Sequence, residues 1–164
     1  MKQTLLKSIA VTTLPAALAV IVTQACTSST SAQSSDTKDS IEGVWSSQVV
    51  ITNCQTGAVM RQFGALNMFI HGGTLADTDT QPPASHGPAF GTWQHSTGPQ
   101  YTSTFELFRY NPDGTFAGTN KVTRTITLSA SSDAFTSVVS VEVEDPTGAA
   151  LATACGTENA TRAT

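Results

Sequence analysis

The stretch NPDGTFAGTNKVTRTITLSASSDAFTSVVSVEVEDPTG, residues 111–148, decides the fold. It opens on Asn111-Pro112-Asp113-Gly114 and closes on Asp145-Pro146-Thr147-Gly148. Both fit type I turns, with proline early and glycine taking the left-handed position. Between them lie two runs of strict period-two alternation, the signature of half-buried strands. In the first run Phe116, Asn120, Val122, Arg124, Ile126 and Leu128 share one face, and Thr115, Thr119, Lys121, Thr123, Thr125 and Thr127 share the other. In the second, Phe135, Val139, Val141 and Val143 oppose Thr136, Ser140, Glu142 and Glu144.

The same punctuation runs back along the chain. Turn signals at Cys54–Gly57, His71-Gly72-Gly73, Gln81–Pro88, Ser96–Pro99, Asn111–Gly114, Ala130–Asp133 and Asp145–Gly148 divide residues 41–164 into eight runs. Their bounds are 42–52, 58–70, 74–80, 89–95, 100–110, 115–128, 134–145 and 149–161, and no helical periodicity intervenes. Eight consecutive antiparallel strands close most economically into an up-and-down barrel, which removes the sheet edges and can hold one small ligand. The fold class is therefore all-β, a single antiparallel barrel. Lys121, Glu142 and Glu144 stand where a transmembrane barrel would need an outward apolar band, so the barrel is expected to be wet outside and apolar inside.

Residues 1–25 have the pattern of an export signal: Lys2 and Lys7, then apolar Ile9–Val22, then Ala25. The apolar part is short and broken by Pro15, unlike a membrane-spanning helix. Cys26, following Ala25, resembles the lipidated cysteine of bacterial lipoproteins; ordinary cleavage after Ala25 or Ala32 is the alternative. Residues 26–40 read as a flexible tether, with nine Ser or Thr among the fourteen residues Thr27–Ser40. The expectation is export from a bacterial cell, to the periplasm or envelope as a lipoprotein, or to the medium. Without residues 1–25, 6 basic side chains face 12 acidic ones, a net charge of −6. That balance gives no reason to bind nucleic acid or an anionic membrane, so any membrane contact would run through a lipid at Cys26.

Cys54 and Cys155 remain in the barrel segment. An exported pair tends to be oxidised, and Cys54 ends strand one while Cys155 lies in strand eight, neighbours if the barrel closes. A disulfide is expected.

Ile41-Glu42-Gly43-Val44-Trp45 followed by a β-meander, with a second Gly91-Thr92-Trp93, resembles the calycin superfamily of lipocalins and fatty-acid-binding proteins. The Thr-Asp-x-x-Tyr motif of lipocalins is absent. The resemblance implies that Trp45 plugs the barrel floor and that a late-strand arginine, Arg124 before Arg162, packs across it. Some calycin-like barrels hold haem through a late histidine; no histidine follows His95 here, and no cofactor is expected.

The three histidines do not converge in this topology: His71 and His95 flank turns at one end, His86 sits at the other, and no metal site is expected. Arg124, on an apolar face with Asn120, needs acceptors if buried; it could stack on Trp45 or hold a ligand carboxylate. Strand five is apolar on both faces, Phe105 and Leu107 with Arg109 on one, Phe108 and Tyr110 with Glu106 on the other. One set should line the interior and the other cover an outside patch or a homodimer contact. If Glu106 and Tyr110 point inward, they are the candidate acid and base of a cyclase.

Three functions fit. The leading one is a binding barrel for a small apolar or amphipathic molecule, with Trp45, Val49, Phe63, Phe105, Leu107, Asn120, Arg124 and Val141 around the cavity. The second is a cavity enzyme resembling allene oxide cyclase. The third is a side-chain-filled barrel serving a structural or partner-binding role.

Overall fold

The computed structural model describes residues 40–163. The expectations for the export signal, the tether and Cys26 fall outside the described residues, save that Ser40 closes the tether.

Eight strands follow in order: β1 Gly43–Thr52, β2 Val59–Ile70, β3 Thr74–Asp79, β4 Ala89–Thr97, β5 Gln100–Tyr110, β6 Phe116–Leu128, β7 Ala134–Glu144 and β8 Ala150–Arg162. Each pairs antiparallel with the next, and β8 returns to β1 from Trp45↔Arg162 to Thr52↔Cys155, closing the barrel. The architecture is a single closed, all-antiparallel barrel of eight strands, consistent with the calycin-like expectation. Strand bounds lie within two residues of those read from the turns. The turns hold by local polar chemistry: Asp145 Oδ1 accepts from Thr147 N, Thr147 Oγ1 and Ala149 N at 2.8, 2.7 and 2.9 Å. Asp113 does the same for Thr115, whose N and Oγ1 lie 3.0 and 2.6 Å away.

Cys54 and Cys155 are joined as a disulfide, with Cα atoms 5.0 Å apart. It staples the β1 end to β8 across 101 residues of chain.

Two side chains depart from the expected faces. Phe116 lies outside, half exposed, edge-on to Phe108 at 5.7 Å, because a bulge opposite Arg109/Tyr110 shifts the register by one residue. Gly118, at φ 117°, permits that bulge; a Cβ there would lie 2.0 Å from Glu144 O. Glu144, expected on the solvent face, is buried: a second bulge at Val143/Glu144 accompanies its ion pair with Lys121 at 2.6 Å.

The interior is layered. At the end where the chain enters and leaves, Ile41, Trp45, Phe69, Leu75, Tyr101, Ile126, Leu128 and Phe135 make a packed floor. Trp45 is fully buried, edge-on to Phe135 at 5.0 Å, and its Nε1 donates to Ile41 O at 2.7 Å. Toward the opposite end the barrel is hollow. A row of apolar residues crosses the outside in register, Val44↔Met68, Met68↔Ala76 and Ala76↔Phe90, with Val44, Met68 and Phe90 exposed and Ala76 half-buried.

Candidate functional site

One layer above the floor, period-two alternation turns polar residues inward from seven strands: Ser47, Asn67, Asp77, Ser103, Arg124, Ser137 and Glu158. The register places Asn67 opposite Asp77, Ser103 opposite Arg124 and Ser137 opposite Glu158. A charge buried here must be paired and hydrogen-bonded. Arg124 meets that need: Nε donates to Ser103 Oγ at 3.0 Å, and Nη1 to Asn67 Oδ1 at 2.6 Å and Glu158 Oε2 at 3.1 Å. Glu158 also accepts from Asn67 Nδ2 at 2.9 Å and Ser137 Oγ at 3.0 Å. The guanidinium lies over Phe105 at 4.6 Å and Phe69 at 5.5 Å, so aromatic faces cover what the polar groups do not.

This corrects the expectation for the floor. Arg124 does not pack on Trp45; Arg162 does, at 4.4 Å from the ring. The two arginines share parity but not height: Arg162 pairs directly with Trp45, whereas Arg124 sits a layer higher.

Above the polar layer opens a cavity of about 240 Å3. Val49, Phe63, Phe105, Leu107, Asn120, Arg124 and Val141, all named from strand parity, line it. Trp45 does not; it is sealed into the floor beneath. Nor do Glu106 and Tyr110 reach it. Both sit on the outer face of β5, Glu106 opposite Lys121 and Tyr110 edge-on to Phe116, because Phe105 and Leu107 take the inner face. The cyclase pair is therefore lost. Phe108, on that outer face, is 55% exposed.

Sequence reasoning missed seven polar contributors to the cavity: Arg61, Asp77, Thr78, Asp79, Gln81, His86 and Glu158. The only signal for Asp77 and Glu158 is parity with one inward apolar neighbour each, Leu75 for Asp77 and Ala160 for Glu158. His86 lies in the loop after β3, which crosses the open end: Gly87 N donates to Phe108 O and Tyr110 N to Ser85 O, both at 2.9 Å. The His86 side chain is thereby covered, only 9% exposed. Its Nε2 is 2.9 Å from Asp79 Oδ1, off the line a hydrogen bond needs, and its Nδ1 is 2.9 Å from Gly87 O. Asp79 meanwhile accepts from Gln81 N and Nε2 at 2.7 and 2.8 Å. At the closed end, His71 pairs with Glu42 at 3.0 Å and His95 Nε2 lies 2.7 Å from Gly98 O. Among the described residues no group of three or more His, Cys, Asp or Glu has metal-site geometry.

The two carboxylates of the polar layer differ. Glu158 is held by three donor atoms, Arg124 Nη1, Asn67 Nδ2 and Ser137 Oγ. Asp77 lies 3.7 Å from Arg124 Nη1, and no hydrogen bond to its carboxylate is present among the described residues. Burial pushes its carboxyl up to about 7, more than Arg124 pulls it back. Among the described residues, two further buried polar atoms on cavity-lining residues lack a partner, Arg124 Nη2 and Asn120 Oδ1. One is a donor and the other an acceptor, four residues apart along β6. Each can meet a polar atom of a molecule whose remainder touches Val49, Leu107, Val122 and Val141.

No family model, no curated protein and no solved structure was found to match the chain.

Proposed function

We propose that the barrel is an exported, calycin-like binding protein whose cavity takes one small, neutral, amphipathic molecule. The observation that carries this is the pair of buried atoms without a partner among the described residues, Arg124 Nη2 and Asn120 Oδ1, on residues lining a cavity that also presents Val49, Leu107, Val122 and Val141. A buried polar group without a partner costs about 1–3 kcal/mol, which a ligand's polar end would recover. Apolar walls with a few convergent polar groups are the usual composition of a ligand pocket.

Charge argues for a neutral ligand. Glu158 already neutralises Arg124, and Asp77 stands beside it. A ligand carboxylate would add a further negative charge to a dry site, where like charges repel most strongly. A carbonyl or hydroxyl accepts from Arg124 Nη2 without that penalty. Size argues for a single ring with a short substituent. The cavity, about 240 Å3, exceeds the roughly 150 Å3 that suffices for benzene and falls below the 300–1,000 Å3 of drug-sized pockets.

The test is native mass spectrometry of residues 41–164 purified from an exporting bacterial host, against a Val141→Phe variant that fills the cavity. An adduct on the wild type that the variant lacks supports the reading. If the wild type also stays bare after incubation with a panel of small ketones and alcohols, the reading fails.

A further inference from the structure

We propose that the cavity is also catalytic: Asp77 moves a proton between carbon atoms of a small unsaturated ketone whose carbonyl oxygen is held by Arg124 Nη2. This rests on the binding reading above and adds a reaction to it.

The geometry sets the roles. Asp77 and Arg124 line the same cavity, in contact at 3.7 Å, so a ring that places its carbonyl on the guanidinium puts the adjacent carbon near Asp77. The Arg124 hydrogen bonds that fix its plane go to Ser103, Asn67 and Glu158, which leaves Nη2 as a buried donor without an acceptor among the described residues. Such a donor, already oriented and already dehydrated, stabilises charge that develops on oxygen. The Asp77 carboxylate is the complementary group: mostly buried, facing the cavity and without a hydrogen-bond donor among the described residues to blunt its basicity. Glu158, engaged by Arg124, Asn67 and Ser137, holds the guanidinium in place. Two carboxylates in one layer with unlike surroundings divide the work between a base and a fixed charge.

The step balances without any other reactant. Asp77 takes a proton from the carbon between the carbonyl and the double bond. The C–H electron pair becomes a C=C bond, and the carbonyl oxygen, now an enolate, accepts from Arg124 Nη2. Asp77 returns the proton to the far carbon of the former double bond. The C=O re-forms, the double bond ends conjugated to it, and Asp77 ends as it began. Nothing is oxidised or reduced.

The charged and titratable groups facing Asp77 are Arg124 and Glu158 in its own layer and Asp79 and His86 toward the open end. With its carboxyl pushed up to about 7, Asp77 can both take and return a proton near neutral pH.

Cyclohex-3-en-1-one is the probe. Its binding is read by saturation-transfer NMR, its conversion by the ultraviolet absorbance of cyclohex-2-en-1-one, and its exchange at carbon by NMR in D2O. We expect conversion in proportion to protein, rising with pH through about 7 and level above it. Asp77→Asn, the same shape without the base, should bind the probe and convert it at least ~100-fold more slowly. A bound probe that neither converts nor exchanges overturns this proposal and leaves the binding reading standing. So does an Asp77→Asn variant as fast as the wild type. If the wild type does not bind the probe, the binding reading for small ketones falls and this proposal falls with it.

Discussion

The guanidinium of Arg162 lies over the indole of Trp45, 4.4 Å from ring to carbon, while its nitrogens donate to three backbone carbonyls. Nε reaches Ser132 O at 2.7 Å, Nη1 reaches Glu42 O at 2.8 Å and Nη2 reaches Ser40 O at 2.5 Å. One side chain thus joins the last strand, the β6–β7 turn and the segment that leads into β1. Gly43, at φ 122°, leaves room for it: a Cβ there would stand 3.0 Å from Nη1. Only a planar fork can stack on a ring and bridge carbonyls in different directions at once.

Replacing Arg162 by Leu should therefore cost about 2–4 kcal/mol, from a lost cation–π contact of about 1 and carbonyls stripped of charged donors at about 1 each. Arg162→Lys should recover less than half, since an ammonium cannot reproduce the fork. Urea unfolding monitored by Trp fluorescence measures both. A leucine variant as stable as the wild type would remove Arg162 from the floor's support.

Arg124 and Glu158 make the second test of a buried pair. Removing either partner alone leaves the other charge uncompensated beneath the cavity, at a cost of about 3–5 kcal/mol. The double variant Arg124→Met/Glu158→Leu removes both charges and should lose clearly less than the sum of the singles. Additive losses in a double-mutant cycle would mean that the contact at 3.1 Å carries no coupling.

Much of this barrel is legible from alternation and turns. Asn111–Gly114 and Asp145–Gly148 fix strand ends by chemistry that needs no tertiary partner, and Cys54 and Cys155 become neighbours once β8 meets β1. The faces of Val122, Arg124, Ile126 and Leu128 follow from parity, whereas Phe116 defeats it because one bulge beside Gly118 inverts the count. Height along the barrel axis is the harder quantity. Parity says that Trp45, Val49 and Arg124 all point inward; only the stagger between strands puts Trp45 in the floor, Arg124 in a polar layer and Val49 on the cavity wall. Asp77 and Glu158 were hidden because acidic residues at inward positions look, one strand at a time, like residues of a solvated face. His86 carries no periodicity at all; a loop's path over the open end depends on backbone pairing, here the bridge His86↔Arg109.

The disulfide allows a comparison with a built-in control. Cys54→Ser and Cys155→Ser each open the same 101-residue loop, so each should lose about 4.7 kcal/mol by the chain-entropy relation, and the reduced wild type should lose a similar amount. Chemical denaturation with and without reductant reads all three. Losses that differ between the two serines by more than about 1 kcal/mol would show that one thiol site contributes through packing instead.

Asp77 ties stability to pH with a definite sign. Its carboxyl is raised from 3.8 to about 7 in the folded chain, first by burial and then by the nearby Glu158 and Asp79, against the opposing pull of Arg124. Between about pH 4 and pH 7 the folded protein therefore keeps a proton that the unfolded chain has released. Stability must fall as pH rises through that window, and the loss is complete above about 7. Asp77→Asn has no such proton to keep. At 1.36 kcal/mol per unit, the variant should gain about 2–3 kcal/mol on the wild type between pH 5 and pH 8. Urea titrations at both values, on both proteins, supply the four stabilities needed. Parallel shifts of wild type and variant would mean that Asp77 is ionised in the fold throughout, already stabilised by Arg124, and would leave the cavity without the neutral carboxyl that its burial implies.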